Sequence, residues 1–250
     1  VTDRKLGKLP PRSDLRTAHL ADYLHRGTLP RAPVLRDWLA GAPSDLGMMV
    51  NDQIGDCGFA GMGHAIQTWT VARGKMITPS DDSIVAAYSG CTGYSSSVPG
   101  SDDGVVLLDA LKYWRRVGVA AHKIGAFVRV DPHNVAHVKI AIELFGGLYT
   151  GAQLPLSAQA PGKTWTGRRG RLRGDDVPGT WGGHCMWVAA YDDHGLTYVT
   201  WGARQTADWQ WWLDYADEAW ACIGEDWVTG ARPAPSGFDL PALRAYLASL

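Results

Sequence analysis

The chain has 250 residues, 46% of them hydrophobic and 20% charged, with a formal net charge of −1. That size and apolar share suit one large domain or two lobes around a substantial core. The near-neutral balance argues against a general nucleic-acid binder, which carries a basic excess, and no run approaches the roughly 20 apolar residues needed to span a bilayer.

Residues 1–45 are rich in Pro and Arg ("KLPPRSD", "RGTLPRAPVLRDW"). They read as an arm wrapping a domain, with one short helix near Leu15–His25, and the charged start lacks the apolar run of a signal peptide. In "NDQIGDCGFAGMGHAIQTW" the pattern turns helical after Gly58. Phe59, Met62, Ile66 and Trp69 recur at three and four, and Ala60, Gly61 and Gly63 leave room for other backbone to come close. The spacing predicts a helix that opens at Cys57, with Asp56 as its N-cap, and ends near Gly74. "SDDSIVAAYSG" starts a second helix, "CTGYSSSVPGSDDG" is a loop of turn formers, and "VVLLDALKYWRRVG" (105–118) is a third helix stopped by Gly118. "DPHNVAHVKIAIELFGG" is another, with Asp131 and Asn134 as candidate caps. Up to Gly147 the chain reads as mainly helical.

Beyond Gly147 the texture changes. "LYTGAQLPL", "HCMWVAAYDD", "LTYVTWG" and "AWACIGEDW" are short apolar or alternating runs between turn signals, which predicts strands. A helical half followed by a strand half gives an α+β chain of two lobes, about 46–135 and 136–231 within a domain of 46–231. Residues 232–250 make a linker ("RPAPSG") and an amphipathic tail helix with Leu240, Leu243 and Leu247 on one face.

The four cysteines, Cys57, Cys91, Cys185 and Cys222, form no CxxC pair and no Cys/His cluster at zinc spacing, so neither a metal nor a cofactor is expected. A long chain with no signal peptide keeps its thiols reduced. Cys57 is then either a buried packing residue or a nucleophile. A helix N-terminus and an imidazolium both stabilise a thiolate. Among eight histidines, His64 lies seven residues along the same helix, about 10 Å away by rise per residue, too far to share a proton. His19, His25, His122, His133, His137 and His194 stand in polar or loop settings. His184, in "TWGGHCMWVAAYDD", begins an apolar strand behind two glycines. It is either a structural strand-start histidine or the partner of Cys57.

"GDCGFAG", "GGHCMWVAAYDD" and "YVTWG", in that order, resemble the papain-like cysteine peptidases, and the likeness covers about Trp38 to Trp227. The Cys-to-His spacing, 184 − 57 = 127, falls just short of that family's roughly 130–150. The blocks Asn-Asp-x-x-Gly-Asp-Cys, Gly-Gly-His and Thr-Trp-Gly are most similar to those of uncharacterised papain-like proteins of actinobacteria and their phages. The resemblance implies a two-lobed fold with Cys57 and His184 facing across a cleft, and Gly104, Gly183 and Trp201 lining it. It implies a cytoplasmic or virion-associated setting. Asn51 stands where the family has its oxyanion glutamine, six residues before the cysteine, and Gln53 is the alternative amide donor. The family's third member would fall on Val199, which has no polar atom; Thr200 serves instead if the strand carries a bulge. Ile54 replaces a family cysteine, which leaves Cys91 unpaired. The 56 residues ahead of Cys57 look too few for the large inhibitory prosegment of secreted relatives.

These residues predict a thiol hydrolase of peptide or amide bonds. A papain-like scaffold without activity is the alternative that Val199 favours. Peptidoglycan amide cleavage is a further one, suggested by "DCGF" but opposed by the long Cys-to-His spacing. The substrate would be a peptide or protein. The arginines of "GRRGRLRGDD", Arg168 to Arg173, are either a solvated loop or a docking surface for an acidic partner, and no nucleic acid or membrane partner is expected.

Overall fold

The computed structural model describes residues 4–24, 31–160, 163–228 and 234–237. The expected tail helix lies outside them. The elements run α1 (Leu20–Leu24), β1 (Arg36–Asp37), α2 (Cys57–Val71), α3 (Asp81–Thr92), α4 (Leu107–Arg116), β2 (Ile124–Val130), α5 (Val135–Phe145), β3 (Leu148–Leu154), β4 (Gly182–Tyr191), β5 (Gly195–Thr200), β6 (Ala203–Asp208), α6 (Trp209–Tyr215) and β7 (Ala216–Gly224). Six strands make an antiparallel sheet in the order β2-β7-β3-β4-β5-β6, and β1 pairs with β4. No helix among the described residues is long and apolar enough to cross a membrane.

Helix α2 is the centre of the molecule. Every residue from Cys57 to Thr70 is buried, so the apolar stripe of Phe59, Met62, Ile66 and Trp69 is part of a helix enclosed on all sides. Its glycines admit side chains rather than backbone. A Cβ at Gly61 would sit 3.3 Å from Cys185 Sγ and from Tyr149, and one at Gly58 would stand 3.0 Å from the Tyr149 hydroxyl. That hydroxyl donates to Gly58 O at 2.9 Å and pins the first turn of α2 to β3.

Local capping follows the sequence in most places. Ser80 caps α3 by accepting from Ser83 N, and Asn134 caps α5 by accepting from His137 N. Asp131 serves the turn before α5, accepting from His133 N. Asp56 occupies the N-cap position of α2, but its side chain makes no capping bond. Helix α2 ends at Val71, one turn short of Gly74, and α1 is confined to 20–24. Two strands depart from the sequence reading. β2 interrupts the stretch expected to be helical, and β6 follows β5 through a turn at Trp201 and Gly202, both with positive φ (47° and 72°). Trp209, Trp211 and Trp212 lie on α6, with Trp211 and Trp212 buried as packing residues.

Candidate active site

Cys57 opens α2, and His184 stands at the second residue after the start of β4, where β4 lies beside β3 (Ala152 opposite His184). The Cys57 sulfur accepts from the backbone N–H of Cys185 at 3.3 Å, so the nucleophile candidate sits against the strand residue next to His184. The imidazole Nε2 shares a 2.7 Å hydrogen bond with Thr200 Oγ1. The Trp201 ring stacks on it, with centroids 4.2 Å apart. Nδ1 has no hydrogen-bond partner. With its proton on Nε2 the ring therefore presents a bare Nδ1, the state a general base needs.

Thr200, not Val199, meets His184 because neighbouring strand residues point to opposite faces. Val199 lies opposite Trp187 and is 1% exposed. The register between β4 and β5 shifts between Val188 and Ala190, an irregularity on the strand that carries His184.

Asn51 is buried and donates through Nδ2 to Ile54 O at 3.2 Å, closing the turn that leads to Cys57. The Asn51 side chain also opposes the upward pKa shift of buried Asp56. Gln53 is exposed. Asp102 holds the same turn from the other side: its carboxylate accepts from Gly55 N at 2.9 and 3.0 Å and from the Tyr88 hydroxyl at 2.7 Å, and that hydroxyl accepts from Gly104 N. The acids of "SDDG" thus include a clamp that fixes Gly104 relative to the turn before Cys57.

The site is covered by the chain's own arm. Lys5 N donates to Asn51 O (3.0 Å), Lys8 N to Gly183 O (3.1 Å), Val105 N to Gly7 O (2.7 Å) and Leu9 N to Val105 O (3.0 Å). Trp201 Nε1 donates to Lys5 O at 3.1 Å, and the Arg4 guanidinium lies 4.8 Å from the Trp201 ring centroid. Residues 4–9 therefore lie hydrogen-bonded between the Val105 segment and the start of β4, with one isolated parallel bridge of Lys8 to Val105. A side chain at Gly7 would overlap the Gly55 carbonyl, and one at Gly104 would overlap Gly7 O. All three residues assigned to the cleft, Gly104, Gly183 and Trp201, touch this arm. No large prosegment is needed for this covering, since it is made by residues 4–9 alone.

Covering removes water, and the electrostatics follow. Burial pushes the Cys57 thiol up to about 12, opposed by the Cys185 N–H. Burial, helped by the Arg4 charge, lowers His184 to about 3. Both partners are neutral, the opposite of the lowered thiol that a helix N-terminus and an imidazolium would give. Cys57, Cys185 and Cys222 are buried free thiols, and Cys91 is a half-buried one. Arg168, Arg169, Arg171 and Arg173 are exposed, and Arg168 pairs with Asp176 at 2.7 Å.

Asp56 is the residue whose importance the sequence did not signal beyond a cap. It is fully buried, and burial pushes it up to about 8, with the Asn51 side chain opposing the shift. A carboxyl raised on folding binds a proton that the unfolded chain has released, so stability falls as pH rises towards 8. Between pH 6.5 and 8 the lowered His64 and His184 are neutral in the native state, and the slope from their unfolded forms is common to wild type and variant. Replacing Asp56 by Asn should therefore flatten the decline, by about 2 kcal/mol across that window at 1.36 kcal/mol per unit. Urea unfolding of both proteins at pH 6.5 and 8 checks it, and equal declines would refute the buried neutral carboxyl.

No family model and no curated protein sequence matches the chain. Solved structures do. Xylellain, a cysteine protease from Xylella fastidiosa, superposes with a TM-score of 0.62 at 15% identity, over 89% of this chain and 98% of that one. The cysteine protease and lectin-like domains of Cwp84 from Clostridium difficile give 0.60 at 9% identity, over 88% and 56%. Digestive procathepsin L 3 from the larval midgut of Tenebrio molitor gives 0.58 at 12% identity, over 89% and 76%. Shared architecture at such low identity, on top of helix α2 opening at Cys57 and β4 carrying His184, shows that this α+β chain has the papain-like fold.

Proposed function

We propose that the protein is a thiol peptidase whose dyad is Cys57 and His184, held in a covered state by residues 4–9. The observation that carries this reading is the arm itself. A length of extended peptide is hydrogen-bonded across the start of α2 and β4, touching the residues that would line a substrate cleft. In the uncovered site, Cys57 Sγ gives its proton to His184 Nδ1 and bonds to the substrate carbonyl carbon. The resulting oxyanion is held by the Cys57 backbone N–H and an Asn51 amide proton turned towards it. Collapse breaks the C–N bond as the imidazolium returns the proton to the leaving amine. Water, deprotonated by the same nitrogen, then cleaves the thioester and restores the thiol. Thr200 fixes the ring through Nε2. The division into a helical lobe (46–135) and a β-rich lobe (136–231) belongs to this reading. So do the actinobacterial or phage setting, a cytoplasmic or virion location, and an acidic partner at Arg168 to Arg173, all on sequence grounds.

Asn51→Ala should lower turnover about 10²–10³-fold, the usual effect of losing one oxyanion donor, while exposed Gln53→Ala leaves it near wild type. Steady-state kinetics on a denatured protein substrate, with the arm displaced, tests both; a loss confined to Gln53→Ala would reverse the assignment. A scaffold without activity is the second reading, and the neutral, enclosed state of Cys57 and His184 is what favours it.

A further inference from the structure

Cys185 follows His184 on β4, and the chemistry described above gives its thiol no work. Neighbouring strand residues point to opposite faces, and the Cys185 sulfur lies against α2, where a Cβ at Gly61 would stand 3.3 Å from it. Gly61 is one helical turn beyond Cys57. Side chains four apart on a helix share a face, with Cβ atoms about 5–6 Å from each other. The bare glycine therefore makes the space in which a second thiol sits beside the first. The backbone sets their separation. Cys57 Sγ accepts from the Cys185 N–H at 3.3 Å, which with ordinary bond lengths puts the two Cα atoms about 6 Å apart. A disulfide spans about 4.4–6.8 Å between Cα atoms, so side-chain rotation alone can bring sulfur to sulfur. The two thiols differ in what an oxidant meets. Cys57 stands at the start of α2 beneath the arm. Cys185 is 2% exposed between Gly61 and Tyr149, and burial keeps its thiol well above the ordinary range.

We propose that Cys57 and Cys185 are a reversible oxidation switch, closing into a disulfide when a peroxide reaches the uncovered site. The proposal rests on the peptidase reading for the reactivity of Cys57, the thiol oxidised first. Its thiolate attacks one peroxide oxygen, the O–O bond breaks, and the released hydroxide takes the proton held on His184. Cys57 is left as a sulfenic acid. The Cys185 sulfur then bonds to the Cys57 sulfur and displaces the hydroxyl, which leaves as water with the Cys185 proton. Two thiols and one peroxide thus become one disulfide and two waters. The bond removes the nucleophile, and a dithiol reductant returns it. It also holds Cys57 back from the sulfinic acid, which such reductants do not reverse.

The test uses the full chain carrying Gly7→Val, whose added side chain collides with the Gly55 carbonyl and unseats the arm. After a molar excess of hydrogen peroxide at pH 7, the intact mass should fall by two hydrogens. Peptide mapping should find Cys57 linked to Cys185, and dithiothreitol should restore iodoacetamide labelling of Cys57. With Cys185→Ala added, the same peroxide should carry Cys57 to the sulfinic acid. Labelling regained with dithiothreitol should then be at least about tenfold lower than with Cys185 present. Turnover of a denatured protein substrate is measured in parallel, before oxidation. Turnover with Cys57 found only as sulfinic acid, joined to another thiol or untouched by peroxide overturns the switch and leaves the peptidase reading standing. A reducible Cys57–Cys185 link in a chain without turnover keeps the switch and overturns the peptidase reading. If Gly7→Val does not fold, Lys8→Ala takes its place, since it removes the arm's buried ion pair to Asp217 (2.8 Å), and the same measurements decide.

Discussion

Forcing residues 4–9 out of the groove raises the rate at which iodoacetamide modifies Cys57 at pH 7 by at least about a thousandfold. The magnitude comes from the thiolate fraction. A thiol pushed up to about 12 by burial is almost wholly protonated at pH 7, about one part in 10⁵ thiolate. An unperturbed one at about 8.5 is about 3% ionised. Access adds to this, because Cys57 is 1% exposed beneath the arm. Gly7→Val is the cleanest device, since the obstruction it meets is backbone, the Gly55 carbonyl, which cannot swing aside as a long side chain would. Peptide mass mapping separates Cys57 from the other thiols. Cys185 and Cys222 stay buried in β4 and β7, and burial keeps half-buried Cys91 at about 11. Cys57 labelling unchanged in a folded Gly7→Val chain would mean that something other than the arm shields the sulfur, and the covered-peptidase reading would fall.

The two central blocks were legible in the sequence because each couples a local signal to a chemical one. Glycine-Asp-Cys before an apolar run fixes where α2 begins, and Gly-Gly-His before an apolar run fixes where β4 begins. The elements that escaped notice are the two edges of the sheet. β2 carries Gly125 and half-buried residues on both faces, and β6 is "ARQTAD", with a single buried residue, Ala207. An edge strand faces solvent on one side, so the alternation that marks an interior strand is weak there. An arm over residues 1–45 was legible, but where it seats was not, for a different reason. Its seat is made of backbone bonds between residues far apart in the chain, Lys8 with Gly183 and Gly7 with Val105, and such bonds leave no pattern in side-chain type. Lys8 reads as one more charge in a polar stretch, and Gly151, against which its side chain lies, as a strand glycine without a cause. Only their meeting in space gives each a role.

In the arm-released chain, His184→Ala should reduce turnover by about 10⁴–10⁶-fold, the scale on which a nucleophile–base pair acts as one unit. The same substitution should change the titration of Cys57 in a way that a packing role would not. Once water enters, the burial that holds Cys57 high and His184 low is relieved, and the bare Nδ1 can take the thiol proton, leaving a thiolate beside an imidazolium at the start of α2. Such a pair makes Cys57 reactive near pH 6, where an isolated thiol of pKa about 8.5 is below 1% ionised. His184→Ala removes the cation and keeps the helix end, so labelling should then rise only above about pH 8. Thr200→Val should produce a smaller loss of turnover with the low-pH labelling partly retained, because it removes the 2.7 Å restraint on Nε2 and leaves the base in place. Rates of iodoacetamide labelling against pH, read beside turnover for the three proteins, give the comparison. Cys57 titrating near 8.5 in both the released chain and its His184→Ala variant would mean that no ion pair forms, and the scaffold reading would replace the peptidase one.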